Sequence, residues 1–363
     1  MKKIIFMENF DRFPDTANNS TVRMNLEAAV DLYTPVLEDF LLPAYTLSSA
    51  YSSKTGYIGK LTVDGREYRG YVESAGSYYG HVSLRYPKKA GGDRYRIWYG
   101  FRMASTAFKA NTALVAGYAT TLPVNTAGVG VGSYYVEICV DLAQKKFFCY
   151  RNKTFTGSID MGNELSYMSS GSSAGALNIG RMNQYGTSPV TGLMVTTDIY
   201  IATETWGADE EAPVMEPFGP VRVESCPVAK VDADKFLTNN ESKEAAVRYT
   251  ALPEKGKVNP DPLYTDSDSS VGKFTFTQPT STKAPLAVQV MCGVERGVSS
   301  NGKAVIAIND GTKQVEMMNR VPSLSTDTLI PPVLQVLNTT LDGQPLTKDY
   351  TDKLTVNVHS EEG

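Results

Sequence analysis

The sequence predicts an all-β protein built as two domains, and three observations lead there. Tyrosine, at 21, outnumbers Phe (13) and Trp (2), and aromatic and β-branched residues suit a pleated, half-buried surface. Glycine (30) and proline (19) recur often enough to supply closely spaced turns. The 363 residues exceed a usual domain of roughly 100–200, and 42% apolar against 20% charged residues is an ordinary folded composition.

The elements follow in chain order. An apolar run, Ile4-Ile-Phe-Met7, stops short of the roughly 7–15 residues of a secretory signal core and reads as a first strand. Residues 24–42 hint at a helix that Pro35 would cut. Residues 58–63 run into Asp64-Gly65, a tight-turn dipeptide, and residues 68–72 return as the partner strand. Along residues 94–103, Tyr95, Ile97, Tyr99, Phe101 and Met103 alternate onto one face, the period of a strand. Residues 134–140 and 146–150 flank 141–145 as a hairpin. Residues 177–180 and 197–201 complete an antiparallel sandwich.

From Trp206 to Pro220 the chain changes character. Pro213, Pro217, Pro220, two glycines and the acidic run Asp209-Glu-Glu211 exclude a helix or a central strand. A linker lying across the surface of one domain is the expectation. Beyond it, residues 221–223, 271–276, 285–291, 303–308 and 354–358 read as strands, Asn309-Asp-Gly311 as a turn and 259–262 as part of a long loop. Residues 241–248 fit a short helix. The expected division is residues 1–207, a linker at 208–220, and a smaller β-sandwich at 221–363.

Composition narrows the chemistry. Lys and Arg (35) against Asp and Glu (39) leave a net charge of -4, without the basic excess of a nucleic-acid binder. No run approaches the ~18 apolar residues of a membrane-spanning helix. The four cysteines make no disulfide framework; Cys139 and Cys149 read as plain thiols that could face each other across a hairpin, in a reducing compartment. The two histidines, His81 and His359, have no Gly-x-Ser-x-Gly elbow nearby and cannot supply the usual zinc sets. Asp266 and Asp268 lack the glycine and closing glutamate of a calcium loop, and Gly128-Val-Gly-Val-Gly132 lacks the lysine of a phosphate loop. Glu137 and Asp141 share a strand parity but read as solvated strand-edge charges. No catalytic residue, metal site or cofactor is expected, and the chain is read as a non-enzyme. The candidate surface is a tyrosine cluster, Tyr68, Tyr71, Tyr78, Tyr79 and Tyr86, interleaved with Arg66, Arg69 and Arg85. Aromatic faces with polar tips suit a protein interface or sugar stacking.

Several motifs together resemble a known family. Met7-Glu-Asn-Phe-Asp-Arg-Phe13 resembles the first strand of the concanavalin A-like (laminin-G-like) jelly roll. Residues 55–65 are similar to its early hairpin, and 95–101 to its central strand. Val136-Glu-Ile-Cys-Val-Asp141 with Phe147-Phe-Cys-Tyr150 is similar to its paired strands, and 177–180 and 197–201 to its closing strands. The junction from Asp198 to Phe218-Gly-Pro-Val-Arg-Val-Glu224 resembles a tandem in virion proteins of tailed bacteriophages, where such a domain runs into a β-rich module like that around residues 287–296. The resemblance implies a virion structural protein of a tail, tail fibre, collar or capsid decoration. It would be made in the bacterial cytoplasm and form homo-oligomers and contacts with other virion proteins. A lectin-like adhesin for host surface glycans is the other reading. Glycosidases of this fold carry Glu-x-Asp-x-x-Glu, a string absent here.

Overall fold

The computed structural model describes residues 2–13, 15, 45–48, 56–74, 81–85, 94–106, 115–116, 120–124, 131–163, 176–179, 192–239, 242–246, 263–265, 270–294, 296–297, 301–322 and 333–361. The readings at 24–42, 128–130, 259–262 and 266–269 lie outside these. Two compact units divide the chain, Met1–Val223 and Glu224–Gly363, so the segment expected to be a linker belongs to the first unit.

The first unit is a β-sandwich. Its strands are β1 (Lys3–Glu8), β2 (Tyr45–Ser48), β3 (Tyr57–Val63), β4 (Arg66–Ser74), β5 (His81–Arg85), β6 (Tyr95–Ser105), β7 (Val115–Ala116), β8 (Thr120–Thr121), β9 (Gly132–Asp141), β10 (Lys146–Arg151), β11 (Thr154–Asp160), β12 (Ala176–Ile179) and β13 (Leu193–Thr205). The larger sheet runs β11-β10-β9-β6-β13-β4-β3, with β1 also on β13; the smaller runs β2-β5-β12-β7-β8. Turn chemistry explains the hairpins. Asp64 (φ 50) with Gly65 (φ 72), and Asn152 (φ 48) with Lys153 (φ 72), take the left-handed conformations that tight two-residue turns require.

Strand β13 organises the larger sheet. Along one edge it pairs with β6; along the other, Leu193 to Thr196 pair with β4, and Ile199 to Thr203 pair with β1. A bulge separates the two halves, with Asp198 at φ 50. The sheets close over Ile97, Tyr99 and Phe101, all fully buried on the face that alternation assigns to the core. Tyr45 of the smaller sheet meets Phe6 at 5.8 Å and Phe10 at 5.6 Å. The motif after β1 proves to be a polar staple. Glu8 accepts from the backbone N–H groups of Asn9 (3.0 Å) and Phe10 (2.7 Å), from Arg12 Nε (2.8 Å) and from the Tyr45 hydroxyl (2.8 Å). One buried carboxylate thus stabilises a turn whose Phe10 sits at φ 65 and ties it to the other sheet.

The second unit holds β14 (Val228–Asp232), α1 (Lys243–Ala246), β15 (Val271–Phe276), β16 (Val288–Cys292), β17 (Lys303–Asn309), β18 (Gln314–Arg320), β19 (Val333–Leu337), α2 (Lys348–Thr351) and β20 (Thr355–Glu361). A five-stranded sheet, β14-β15-β20-β17-β18, accompanies the two-stranded β16-β19. Val231, Phe274, Ile306, Ile308, Leu337 and Val356 form its core. The Asp310 carboxylate accepts from the N–H groups of Thr312 and Lys313 and closes the β17–β18 turn, holding its pKa down at about 2. Of the helix expected at 241–248, residues 243–246 form α1, and 241, 247 and 248 lie outside the described residues. Residues 221–223 form no strand: the Val223 N–H and the Val221 carbonyl are taken by side chains of the first unit.

Candidate functional site: the strapped sheet face

Alternation along β6 places Arg96, Trp98, Gly100 and Arg102 opposite the inter-sheet core, where a lone sandwich would meet water. Instead Arg96 is 3% and Trp98 0% exposed. The cause is the segment from Trp206 to Val223, which crosses this face as an extended strap. Its prolines suit that path, because they lack N–H groups and disfavour helix.

The sheet grips the strap mainly by its backbone. Near its start, Arg94 donates to the carbonyls of Gly207 (2.5 Å) and Glu210 (3.2 Å). In the middle, Arg96 Nη1 donates to the Pro213 carbonyl (2.6 Å) and Lys2 Nζ to the Glu216 carbonyl (2.5 Å). Toward the end, the Gly219 N–H donates to Glu137 Oε2 (2.8 Å) and the Val223 N–H to Asp198 Oδ1 (2.9 Å). Asn9 Nδ2 donates to the Val223 carbonyl (3.1 Å). Hydrogen bonds to charged groups contribute about 1.5–3 kcal/mol each when buried.

The anchors are themselves braced. Arg96 pairs with Asp141 (2.8 Å) and Glu204 (3.3 Å) and lies over the Trp206 ring. Arg102 pairs with Asp198 (2.8 Å) and faces the Tyr135 ring. Glu137 accepts from the Tyr200 hydroxyl at 2.5 Å. Burial pushes the Glu137 carboxyl up, and its bonds from Tyr200 and Gly219 oppose that. Tyr200 lies across Gly100, where an added Cβ would come 2.0 Å from the ring, so only glycine admits it.

Glu137 and Asp141 are therefore not solvated edge charges. They are 1% and 0% exposed on a central strand, because Tyr200 and Arg96 supply their partners under the strap. Cys139 and Cys149 are both buried free thiols. Cys139 stands opposite Phe148 and Cys149 opposite Ile138, so the two project to opposite faces and cannot bond. Burial pushes Cys149 up to about 12.

The tyrosine cluster divides. Tyr71 needs correction as a surface contact: at 1% exposure it fills the core, its ring 6.4 Å from that of Phe10. Tyr68 is half-buried against Leu61, Val63 and Val72, with Arg66 over its ring at 5.8 Å. Arg69 turns away to Asp11, Asp15 and the Phe13 carbonyl. Tyr78, Tyr79 and Tyr86 lie outside the described residues. An aromatic run that the sequence reading passed over starts at Trp98, continues to Tyr150 (5.9 Å) and Phe155 (5.6 Å further), and includes Phe148 (6.4 Å from Phe155). Phe155 is 53% exposed on the outermost strand of the larger sheet.

Among the described residues, one buried carboxyl group stands without a hydrogen-bond partner. Glu73 is 0% exposed, and neither carboxylate oxygen makes a hydrogen bond. It shares the face of Tyr71, beside Met194 and diagonal to Thr196, whose hydroxyl is also unsatisfied. Burial alone holds its pKa well above the usual carboxylate range. Among the described residues no three side chains gather as metal ligands.

The fold and this face define a two-unit all-β protein whose first sandwich is strapped by the chain leading to the second. No protein-family model matches the chain, and no curated protein matches it either.

Proposed function

We propose that the chain is a structural component of a tailed-bacteriophage particle, in a tail, tail fibre, collar or capsid decoration. It acts through interfaces with copies of itself and with other particle proteins. The observation that carries this reading is the clamped strap. Three groups of side-chain bonds along its length tie it to Lys2 and to β6, β9 and β13 of the first unit, so load applied at residue 224 is delivered to central strands. A first unit clamped to the chain that leaves it suits a particle subunit under load. The jelly-roll resemblance of the first unit supports the same assignment, with synthesis in the host cytoplasm. Mass spectrometry of purified particles tests it: peptides from both units at stoichiometric abundance are expected, and their absence from intact particles overturns it.

A lectin-like adhesin is the second reading, favoured by Phe155, whose half-exposed ring at a sheet edge, backed by Phe148 and Tyr150, suits sugar stacking. A glycan array with the full chain separates the two. Saturable binding lost in Phe155→Ala supports the adhesin; no sugar-dependent signal leaves the structural role.

A further inference from the structure

Under the strap, one cation is enclosed in a way that strap anchoring alone does not require. Lys2 Nζ lies 4.0 Å from the centroid of the Trp98 ring and 3.8 Å from that of Phe218. Its hydrogen bond goes to the Glu216 carbonyl, and the nearby Glu137 and Glu204 carboxylates attract it. Both walls are braced. Trp98 is fully buried with Tyr150 5.9 Å away, and Phe218 meets Tyr200 edge-on at 5.3 Å. The Trp98 indole N–H is buried without a partner, so this wall contributes its ring face rather than a hydrogen bond. Lys2 itself is only half-buried, so the enclosure is open to solvent on one side.

An ammonium taken from water into such a space is compensated by ring quadrupoles and by the Glu216 carbonyl, with the field of Glu137 and Glu204 adding to both. A guanidinium has no bidentate carboxylate at the Nζ position, and a small hydrated metal ion gains little from ring faces. The arrangement selects for an alkylammonium.

We propose that Trp98, Phe218 and the Glu216 carbonyl form an aromatic cage for alkylammonium groups, occupied by Lys2 as the chain's own ligand and open to an external one when Lys2 is withdrawn. The cage is independent of the particle assignment, since it rests on this unit alone.

The test uses the full chain with tetramethylammonium chloride as the probe and sodium chloride at matched ionic strength as the control. Trp98 and Trp206 are the only tryptophans, so Trp206→Phe leaves Trp98 as sole reporter. In that background Lys2→Ala should show a saturable change in fluorescence, at least tenfold larger than the same protein with Lys2 intact, and a thermal midpoint that rises with the probe. A folded Lys2→Ala protein that responds to both salts alike overturns the proposal. A second measurement, on the unaltered chain, holds even if Lys2→Ala fails to fold. The probe should displace Lys2 and raise its acylation by an N-hydroxysuccinimide ester several-fold in peptide mass spectra, whereas sodium chloride should not. Equal acylation in the two salts overturns it as well.

Discussion

Replacing Glu73 with Gln isolates the cost of a carboxyl buried without a partner. Glu73→Gln keeps the size and shape and removes the ionisation, exchanging a carboxyl O–H for an amide NH2. The folded carboxyl has its pKa raised well above the unfolded value by burial, so the folded state binds its proton more tightly than the unfolded chain does. Below an unfolded pKa of about 4.3 both states are protonated, and the difference between variant and parent should not depend on pH. As pH rises past that value, the unfolded chain releases the proton while the folded one keeps it. The parent then loses about 1.4 kcal/mol per pH unit, until the folded carboxyl ionises as well. Between pH 5 and 7 the advantage of Glu73→Gln should therefore grow, by as much as about 2.7 kcal/mol while the folded carboxyl stays neutral. Both tryptophans lie in the first unit, so urea unfolding followed by their fluorescence reports that unit alone. A difference that stays constant from pH 4 to 7 would refute the reasoning, because it would mean that Glu73 has the same proton affinity in both states.

Three further outcomes concern the first unit. Arg96→Met should cost the first unit about 3–5 kcal/mol, since Asp141 and Glu204 are left buried and uncompensated, and the triple variant with Asp141→Asn and Glu204→Gln should recover most of it; urea unfolding measures both. Gly100→Ala should cost about 1–3 kcal/mol in the same assay, because the added Cβ meets Tyr200, itself held by Phe218 and Glu137. Cys139 and Cys149 should resist a thiol reagent at pH 8 until the chain unfolds, and peptide mass spectrometry should find no bond between them, since both are buried with raised pKa values.

What the sequence made legible was local. Asp64-Gly65 announced its hairpin because two adjacent residues carry the turn, and the alternation from Tyr95 to Met103 marked a core face because side chains on a strand repeat every second residue. The opposite face of the same strand was misjudged, because alternation says nothing of what covers it. Glu137 and Asp141 looked solvated since their partners, Tyr200 and Arg96, lie 63 and 45 residues away. Tyr71 looked like a surface tyrosine among arginines, yet Arg69 points elsewhere and the ring packs against Phe10. A signal was present: a tryptophan and two arginines on the presumed wet parity of β6, with carboxylates of matching parity on the next strand, require a cover. The proline-rich segment supplies it.

The account turns on the strap being part of the first sandwich, and hydrogen exchange at two amides tests that most directly. The N–H groups of Gly219 and Val223 are bonded to the buried carboxylates of Glu137 and Asp198. They should exchange as slowly as the amides of β6 and β13, opening only with the unit as a whole. Exchange at the rate of an unstructured peptide, while β6 and β13 stay protected, would contradict the clamped strap.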